Sequence, residues 1–482
     1  MTPFALSRIT RAVNGRLVYA AAADADLTID ALVTDTRQLD PSAAGAALFV
    51  ALKGEHFDGN DYVARAAELG ARAALVSRET AALAIPQIVV ADTERALAAL
   101  AHALQQARRT KVLAVTGSNG KTSVKALTFA ILEAAVAALG APGRAYTTPG
   151  NRNNEIGLPL AVIDAPDDAL YAMYEMGAGK PGDIAYLTDI VRPDVSLVNN
   201  VAPAHLERLG SLFGIADTKA AIYDALPADG VAAINADDAF APYFAERAHG
   251  RRLIRFALDA DADVTARDLA LDAEGSRFVL VTPVGEADIA LAMPGRHNAL
   301  NALAAASLAL GAGIPLAAIA AGLNAARPVS GRLNVHQLPG GATLIDDSYN
   351  ANPGSLQAAI DTLAASGGER WLVLGDMREL GEDAAALHAQ VGRRARASGI
   401  ARFYAMGELS AAAARAFGEG ARTFDDHAAL TDALRADLAV APSPPRILVK
   451  GSRGSAMERI AKALMNDDSR GPSAGGGETH AA

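Results

Sequence analysis

The chain has 482 residues, roughly three times the ~150-residue domain prior, so about three domains are expected. Its apolar share (51%) and charged share (20%) are those of a globular chain, and a net charge of −10 argues against a dedicated nucleic-acid or anionic-membrane binder. Cysteine is absent, which excludes disulfides, cysteine-ligated zinc, iron–sulfur clusters and a thiol nucleophile.

The opening segment MTPFALSRITRAVNGRL carries Arg8, Arg11 and Arg16 and lacks the apolar core of an export signal, so a cytoplasmic protein is expected. Residues 1–107 mix short elements: strand-like runs at 47–52, 73–76 and 87–90 and a helix at 62–69 predict a separate α/β domain. The basic cluster Arg108, Arg109, Lys111 marks its end. From 108 to 327 a pattern repeats. Short apolar runs end in polar or glycine-rich tips: 112–115 leads to Thr116 and Gly117, 170–174 to Glu175, 195–198 to Asn199 and Asn200, and 231–234 to Asn235. Such runs, separated by helical stretches, predict a parallel sheet covered on both faces, with ligands outside the carboxyl ends of its strands. Alternation over 275–294 predicts a β-hairpin.

Residues 298–326 are uncharged and Ala-rich. Asn298, Asn301, Ser307 and Asn324, with breaks at Gly311, Gly313 and Pro315, favour two buried helices over a membrane span. Pro328 and Gly331 suggest a hinge. Strand-like runs at 342–345, 371–374 and 447–449 then predict a Rossmann-like third domain to about residue 465. The Gly/Ser/Asp-rich stretch 466–482 has little to bury and predicts a disordered tail.

The strongest local feature is Thr116-Gly117-Ser118-Asn119-Gly120-Lys121-Thr122-Ser123, between an apolar strand and a helical run. Glycines let the backbone turn its N–H groups toward phosphate, the helix N-terminus favours an anion, Lys121 can reach the terminal phosphates, and Thr122 can hold Mg²⁺. The common P-loop spacing would need glycine where Val115 stands, so a plain strand-to-helix turn is the competing reading.

In this short form the octapeptide resembles the ATP loop of the Mur ligase family, which includes the folylpolyglutamate synthetases. Further segments carry the likeness over nearly the whole chain: TDTRQLDPSAAGAALFVALKGEHFDGNDYV, TTPGNRNNEIGLPL, EMGAGKPGDIAYLTDIVRPDVSLVNNVAPAHLERLGS, GRHNALNALAA, DDSYNANPGSL, LGDMRELGE and VKGSRGSAME. The resemblance implies an α/β protein of three domains, a central P-loop-type parallel-sheet ATPase domain between an N-terminal UDP-sugar-binding domain and the Rossmann-like C-terminal domain. It also implies amide-bond synthesis through an acyl phosphate. The member-specific segments imply addition of D-alanyl-D-alanine to UDP-N-acetylmuramoyl-tripeptide in peptidoglycan precursor synthesis, with ATP and Mg²⁺; the net charge predicts no nucleic-acid partner, and a monomer is expected. The alternatives are a Mur-type ligase adding a single amino acid and an ATP-binding switch protein without ligation.

Residue by residue, the resemblance implies nucleotide contacts from Gly117 to Ser123, with Lys121 catalytic. Mg²⁺ would be held by Thr122 and Glu175, with His205 near a second ion and Lys219 carbamylated to serve as a metal-organising anion. Carbamylation needs a neutral amine, hence a desolvated lysine. Asn298 and Asn301, one helical turn apart, would recognise adenine, although a helix cap also explains Asn298. Arg332 and Asp347 would complete the nucleotide site from the third domain, which would then have to close over ATP. Thr36 and Arg37 with the loop from Gly54 to Asp58 would contact the uridine diphosphate, and Thr147, Thr148, Asn151 and Asn154 the sugar–peptide. Asn350 and Asn352 would face the dipeptide. A turn-rich loop is the simpler reading of the TTPGNRNN stretch.

Overall fold

The computed structural model describes residues 3–18, 24, 26–42, 45–81, 83–140, 143–203, 206–272 and 274–466. Of the expected tail 466–482, residues 467–482 lie outside the described residues, as does His205. The chain divides into two compact units. One comprises Met1–Leu271, Gly275–Ala292 and Arg296–Arg327; the other is built mainly of Pro328–Ala482.

The first unit begins with a five-stranded sheet of β1 (Arg16–Val18), β2 (Ala31–Val33), β3 (Ala47–Val50), β4 (Ala71–Val76) and β5 (Gln87–Val89). Its order is β1-β5-β4-β3-β2, and only the β1–β5 pair is antiparallel. Helix α1 (Thr93–Ala107) follows, capped by Asp92, whose carboxylate accepts the Glu94 and Arg95 amides.

The second sheet positions the candidate site. Its strands are β6 (Lys111–Thr116), β7 (Arg144–Thr147), β8 (Ala169–Glu175), β9 (Val195–Val198), β10 (Val231–Asn235) and β11 (Arg252–Phe256). The order is β11-β10-β9-β6-β8-β7, parallel throughout. Strand β6 is buried from Val112 to Thr116, as a strand covered on both faces must be. The chain lays β8 on one side of β6 and β9 on the other, so the crevice where strand order reverses opens at the tips of β6, β8 and β9.

Helix α2 (Lys121–Leu139) leaves the tip of β6, and helix α3 (Leu212–Asp224) follows β9. By length and composition α2 is the one helix among the described residues that could cross a membrane. Val124, Leu127, Ile131 and Leu132 are fully buried within the unit, as in a core helix of an α/β layer. An antiparallel ribbon of β12 (Thr265–Leu271), β13 (Ser276–Thr282) and β14 (Gly285–Leu291) precedes the Ala-rich helices α4 (Arg296–Gly311) and α5 (Leu316–Ala325). The expected hairpin is β13–β14; β12 extends it.

In the second unit a six-stranded sheet runs β15-β16-β20-β17-β18-β19. The strands are β15 (Asn334–Gln337), β16 (Thr343–Asp347), β17 (Arg370–Gly375), β18 (Arg402–Met406), β19 (Ala421–Phe424) and β20 (Arg446–Lys450). All pairs are parallel except β15–β16. This is the α/β, parallel-sheet architecture expected of the central and C-terminal parts.

Candidate active site

The loop 117–120 turns between β6 and α2 in a conformation that glycine alone adopts without strain. Gly117 has φ +148° and Gly120 φ +78°, and Gly120 is also the residue preceding the first turn of α2. A Cβ at Gly120 would lie 2.5 Å from Asn199 Nδ2 and from Asn301 Oδ1. Carboxamides hold the loop. Asn199 Nδ2 donates to Asn119 O at 2.9 Å and to Asn301 Oδ1 at 3.0 Å. Asn200 Oδ1 accepts the Asn119 amide at 2.8 Å, Asn200 O accepts the Ser118 amide at 2.9 Å, and Asn235 Nδ2 donates to Asn199 O at 2.9 Å. Asn301 Nδ2 reaches Asn298 Oδ1 at 3.2 Å. Asn298 and Asn301 are thus buried beside the loop, and Asn298 lies inside α4 rather than at its cap. Asn199 Oδ1 is buried with no hydrogen-bond partner among the described residues.

Lys121 Nζ donates to Gly117 O at 2.7 Å, curled over the loop. Ser123 is buried in the first turn of α2, where helix amides lack intrahelical acceptors and favour an anion. Thr122 Oγ1 lies 3.3 Å from Glu175 Oε1. In octahedral Mg²⁺ coordination, with bonds of 2.0–2.1 Å, neighbouring oxygens stand about 2.9 Å apart, so this pair needs little movement to share one ion. Among the described residues no three His, Asp or Glu side chains form a metal cage. Mg²⁺ normally takes one or two protein oxygens plus substrate phosphates, so the donor set fits it.

Glu175 ends β8, is 3% exposed, and is held on every side. Its Oε1 accepts Asn153 Nδ2 at 2.8 Å, its Oε2 lies 3.3 Å from Lys125 Nζ, and its amide donates to Thr148 Oγ1 at 3.1 Å. Lys219 is buried on α3; burial and the Lys121 ammonium push its amine well below the usual lysine range. Of the remaining loop residues, Thr147 donates to Met173 O, whereas Asn151 and Asn154 are exposed and Asn154 Oδ1 caps the Gly157 amide.

Two residues here escape the sequence reading. Lys125, on α2, and Asn153, in the loop after β7, both touch Glu175, while neighbouring asparagines were the candidates. Lys125 did leave a signal, a charge inside the apolar run SVKALTFAIL.

The other candidates lie elsewhere. Thr36 and Arg37 form a short turn after β2, where the exposed Arg37 guanidinium is forked onto Asp35 and holds that carboxyl near a pKa of about 2. Gly54 donates its amide to Phe57 O at 2.9 Å, closing the 54–58 loop, and Asp58 accepts from Asn60. In the second unit Asp347 ends β16, buried and paired with Lys450 at the tip of β20; burial lifts its pKa although Lys450 and Arg332 lower it. Arg332 lies over the Tyr349 ring at 4.3 Å. Asn352 spends its side chain on a capping box with Ser355 at the start of α6 (Pro353–Ala364), and Asn350 Oδ1 accepts the Ala351 amide.

Comparison with known proteins bears on the whole chain. Three family models match: the Mur ligase family catalytic domain over residues 29–119, the Mur ligase middle domain over 115–309, and the Mur ligase glutamate ligase domain over 331–453. The chain is 43% identical to the UDP-N-acetylmuramoyl-tripeptide–D-alanyl-D-alanine ligase of Escherichia coli K12, over 97% of this chain and 99% of that one. It is 34% identical to the Bacillus subtilis 168 ligase of the same name, covering 91% and 93%. Among solved structures, MurF from Acinetobacter baumannii superposes with a TM-score of 0.88 at 33% identity, over 96% of this chain and 99% of that one. MurF ligase from Thermotoga maritima in complex with ADP gives 0.78 at 26%, over 90% and 96%.

Proposed function

We propose that this chain, which belongs to the Mur ligase family, is the ATP-dependent ligase that joins D-alanyl-D-alanine to UDP-N-acetylmuramoyl-tripeptide. The observation that carries the reading is the gathering of Lys121, Thr122, Glu175 and a buried Lys219, whose amine pKa burial and Lys121 lower, at the carboxyl ends of the central strands. A nucleotide switch needs no such lysine, and the near full-length likeness to ligases of that name selects the substrates.

In the proposed reaction the terminal carboxylate of the tripeptide attacks the γ-phosphorus of ATP. The bond to the bridging oxygen breaks, leaving ADP and an acyl phosphate. The uncharged amine of D-alanyl-D-alanine then attacks the acyl carbon; phosphate departs and the amine gives up a proton. Lys121, released from Gly117 O, stabilises charge growing on the phosphates. Thr122 and Glu175 would hold Mg²⁺, which would supply further neutralisation of the phosphate oxygens. The free amine of Lys219 would add CO₂ and release a proton to become a carbamate, a change of sign suited to organising a second cation, for which His205 is the other proposed ligand.

We assign residues 1–107 to UDP-sugar binding through Thr36, Arg37, Gly54 and Asp58. Residues 108–327 bind ATP, with adenine near Asn298 and Asn301, and present the peptide to Thr147, Thr148, Asn151 and Asn154. Residues 328–465 contribute Arg332 and Asp347 toward the nucleotide and Asn350 and Asn352 toward the dipeptide. The proposed setting is the cytoplasm, where ATP is available.

The test is ADP release from Mg-ATP, UDP-N-acetylmuramoyl-tripeptide and D-alanyl-D-alanine, omitting each component in turn. Release is expected only with all three. Release that ignores the dipeptide, or that a single amino acid supports better, defeats the proposal.

A further inference from the structure

Lys125 stands outside the roles assigned above. Its ammonium donates hydrogen bonds to Gly150 O at 2.7 Å and Thr148 O at 3.1 Å, and forms an ion pair with Glu175 Oε2 at 3.3 Å. Its side chain is 7% exposed and that of Glu175 3%. A charge is kept in such a place only when an opposite charge or hydrogen bonds compensate its lost hydration. Both hydrogen-bond acceptors are backbone carbonyls of the 148–153 loop, which makes two further links to Glu175, from Asn153 to Oε1 and from the Glu175 amide to Thr148 Oγ1. Lys125 is one helical turn from Lys121 and three residues beyond Thr122, on the same helix. It therefore ties together the helix that carries the nucleotide loop, the strand end that carries the carboxylate, and the loop proposed to carry the acyl substrate.

We propose that Lys125 is a positioning residue for the divalent cation and the acyl substrate. By holding Oε2 it turns Oε1 of Glu175 toward Thr122, and through Thr148 O and Gly150 O it fixes the 148–150 loop against that carboxylate. This rests on the metal and substrate assignments made above. Outer partners that orient a ligating carboxylate typically change metal affinity or activity by about 10–100-fold when removed.

The test uses the full chain and ADP, with Mg²⁺ as the probe. Calorimetric titration gives the ADP affinity in chelator and its enhancement as Mg²⁺ is added. In Lys125→Met the metal-free ADP affinity should stay at the wild-type value, while the Mg²⁺ concentration giving half the enhancement rises by about 10–100-fold. Lys125→Arg, which retains the charge and donors, should restore most of the Mg²⁺ response. In turnover, Lys125→Met should raise KM for the acyl substrate as well as the Mg²⁺ requirement. Combining Lys125→Met with Glu175→Gln should add little to the Mg²⁺ defect of Glu175→Gln. Should the Met variant not fold, Lys125→Gln takes its place with the same expected shift. A wild-type Mg²⁺ response, an equal loss of metal-free ADP affinity, or full additivity with Glu175→Gln overturns the proposal. Because the binding measurement uses no ligase substrate, failure of the ligase assignment would leave it standing and be seen separately.

Discussion

Helix α2 is flanked by two left-handed glycines, Gly120 with φ +78° just before its first residue and Gly140 with φ +58° just after its last. Replacing either by alanine costs roughly 1–2 kcal/mol for the backbone conformation alone. At Gly140 the new Cβ meets nothing within 4 Å among the described residues, so the cost stops there. At Gly120 it lands 2.5 Å from both Asn199 Nδ2 and Asn301 Oδ1, about 1 Å inside van der Waals contact. The 3.0 Å hydrogen bond between those carboxamides must open, and leaving a buried polar group unsatisfied costs about 1–3 kcal/mol more. Gly120→Ala should therefore lose about 2–5 kcal/mol, at least 1 kcal/mol beyond Gly140→Ala. Denaturant titration followed by circular dichroism measures both. Calorimetry with Mg-ADP should show affinity reduced at least about tenfold in Gly120→Ala, equivalent to about 1.4 kcal/mol, and unchanged in Gly140→Ala. Equal destabilisation of the two variants, with ADP affinity intact in both, would refute the packing argument and the loop assignment together.

Other expectations are more compact. Lys121→Ala should keep its fold and lower kcat by about 10²–10³-fold or more, the scale of losing one charge-stabilising donor; near wild-type turnover in a single-turnover assay contradicts its role. Lys219→Met should be inactive yet more heat-stable than wild type in CO₂-free buffer at pH 7. The folded-state pKa of Lys219 lies below the ordinary value of 10.5, so between the two the unfolded chain binds the extra proton and stability rises with pH. The Met variant's advantage should then shrink as pH approaches 10, and an advantage independent of pH argues against a buried amine. Activity of Lys219→Ala should return in part with a small added carboxylate. In the second unit, Lys450→Met leaves Asp347 buried without its ammonium partner and should cost about 3–5 kcal/mol. Adding Asp347→Asn should recover most of it in the same unfolding assay, and additive losses would show that the pair is not coupled.

The parallel sheets were readable because their strands are buried on both faces, which leaves continuous apolar runs such as VLAV and VSLV with polar tips. The same physics hid β12: Thr265–Leu271 is largely solvent-exposed and carries Asp268 at φ +56°, so neither alternation nor an apolar run marks it. Residue types at the site were equally visible, but not which of several like residues faces inward. Asn153 rather than Asn151 or Asn154 meets Glu175, a choice made by the path of the loop over β8 and not by local sequence. Lys450 looks like an ordinary surface lysine, and Lys125 shows only as a charge inside an apolar run, until neighbouring strands bring a carboxylate to each. Asn352 shows the converse, since a cap followed by proline and serine explains it without a ligand.

The carboxamide frame around the loop 117–120 also has a thermodynamic meaning. Asn199, Asn200, Asn235 and Asn301 come from three different chain segments, and these hydrogen bonds run between groups of the protein itself. The conformational entropy of shaping the loop is thus surrendered during folding, not at the binding step. Nucleotide binding should therefore lack the large opposing entropy that accompanies coupled ordering of a segment. Amide exchange at Ser118 and Asn119, whose N–H groups donate to Asn200, should be slow before any ligand is added and should accelerate only when the central sheet itself opens.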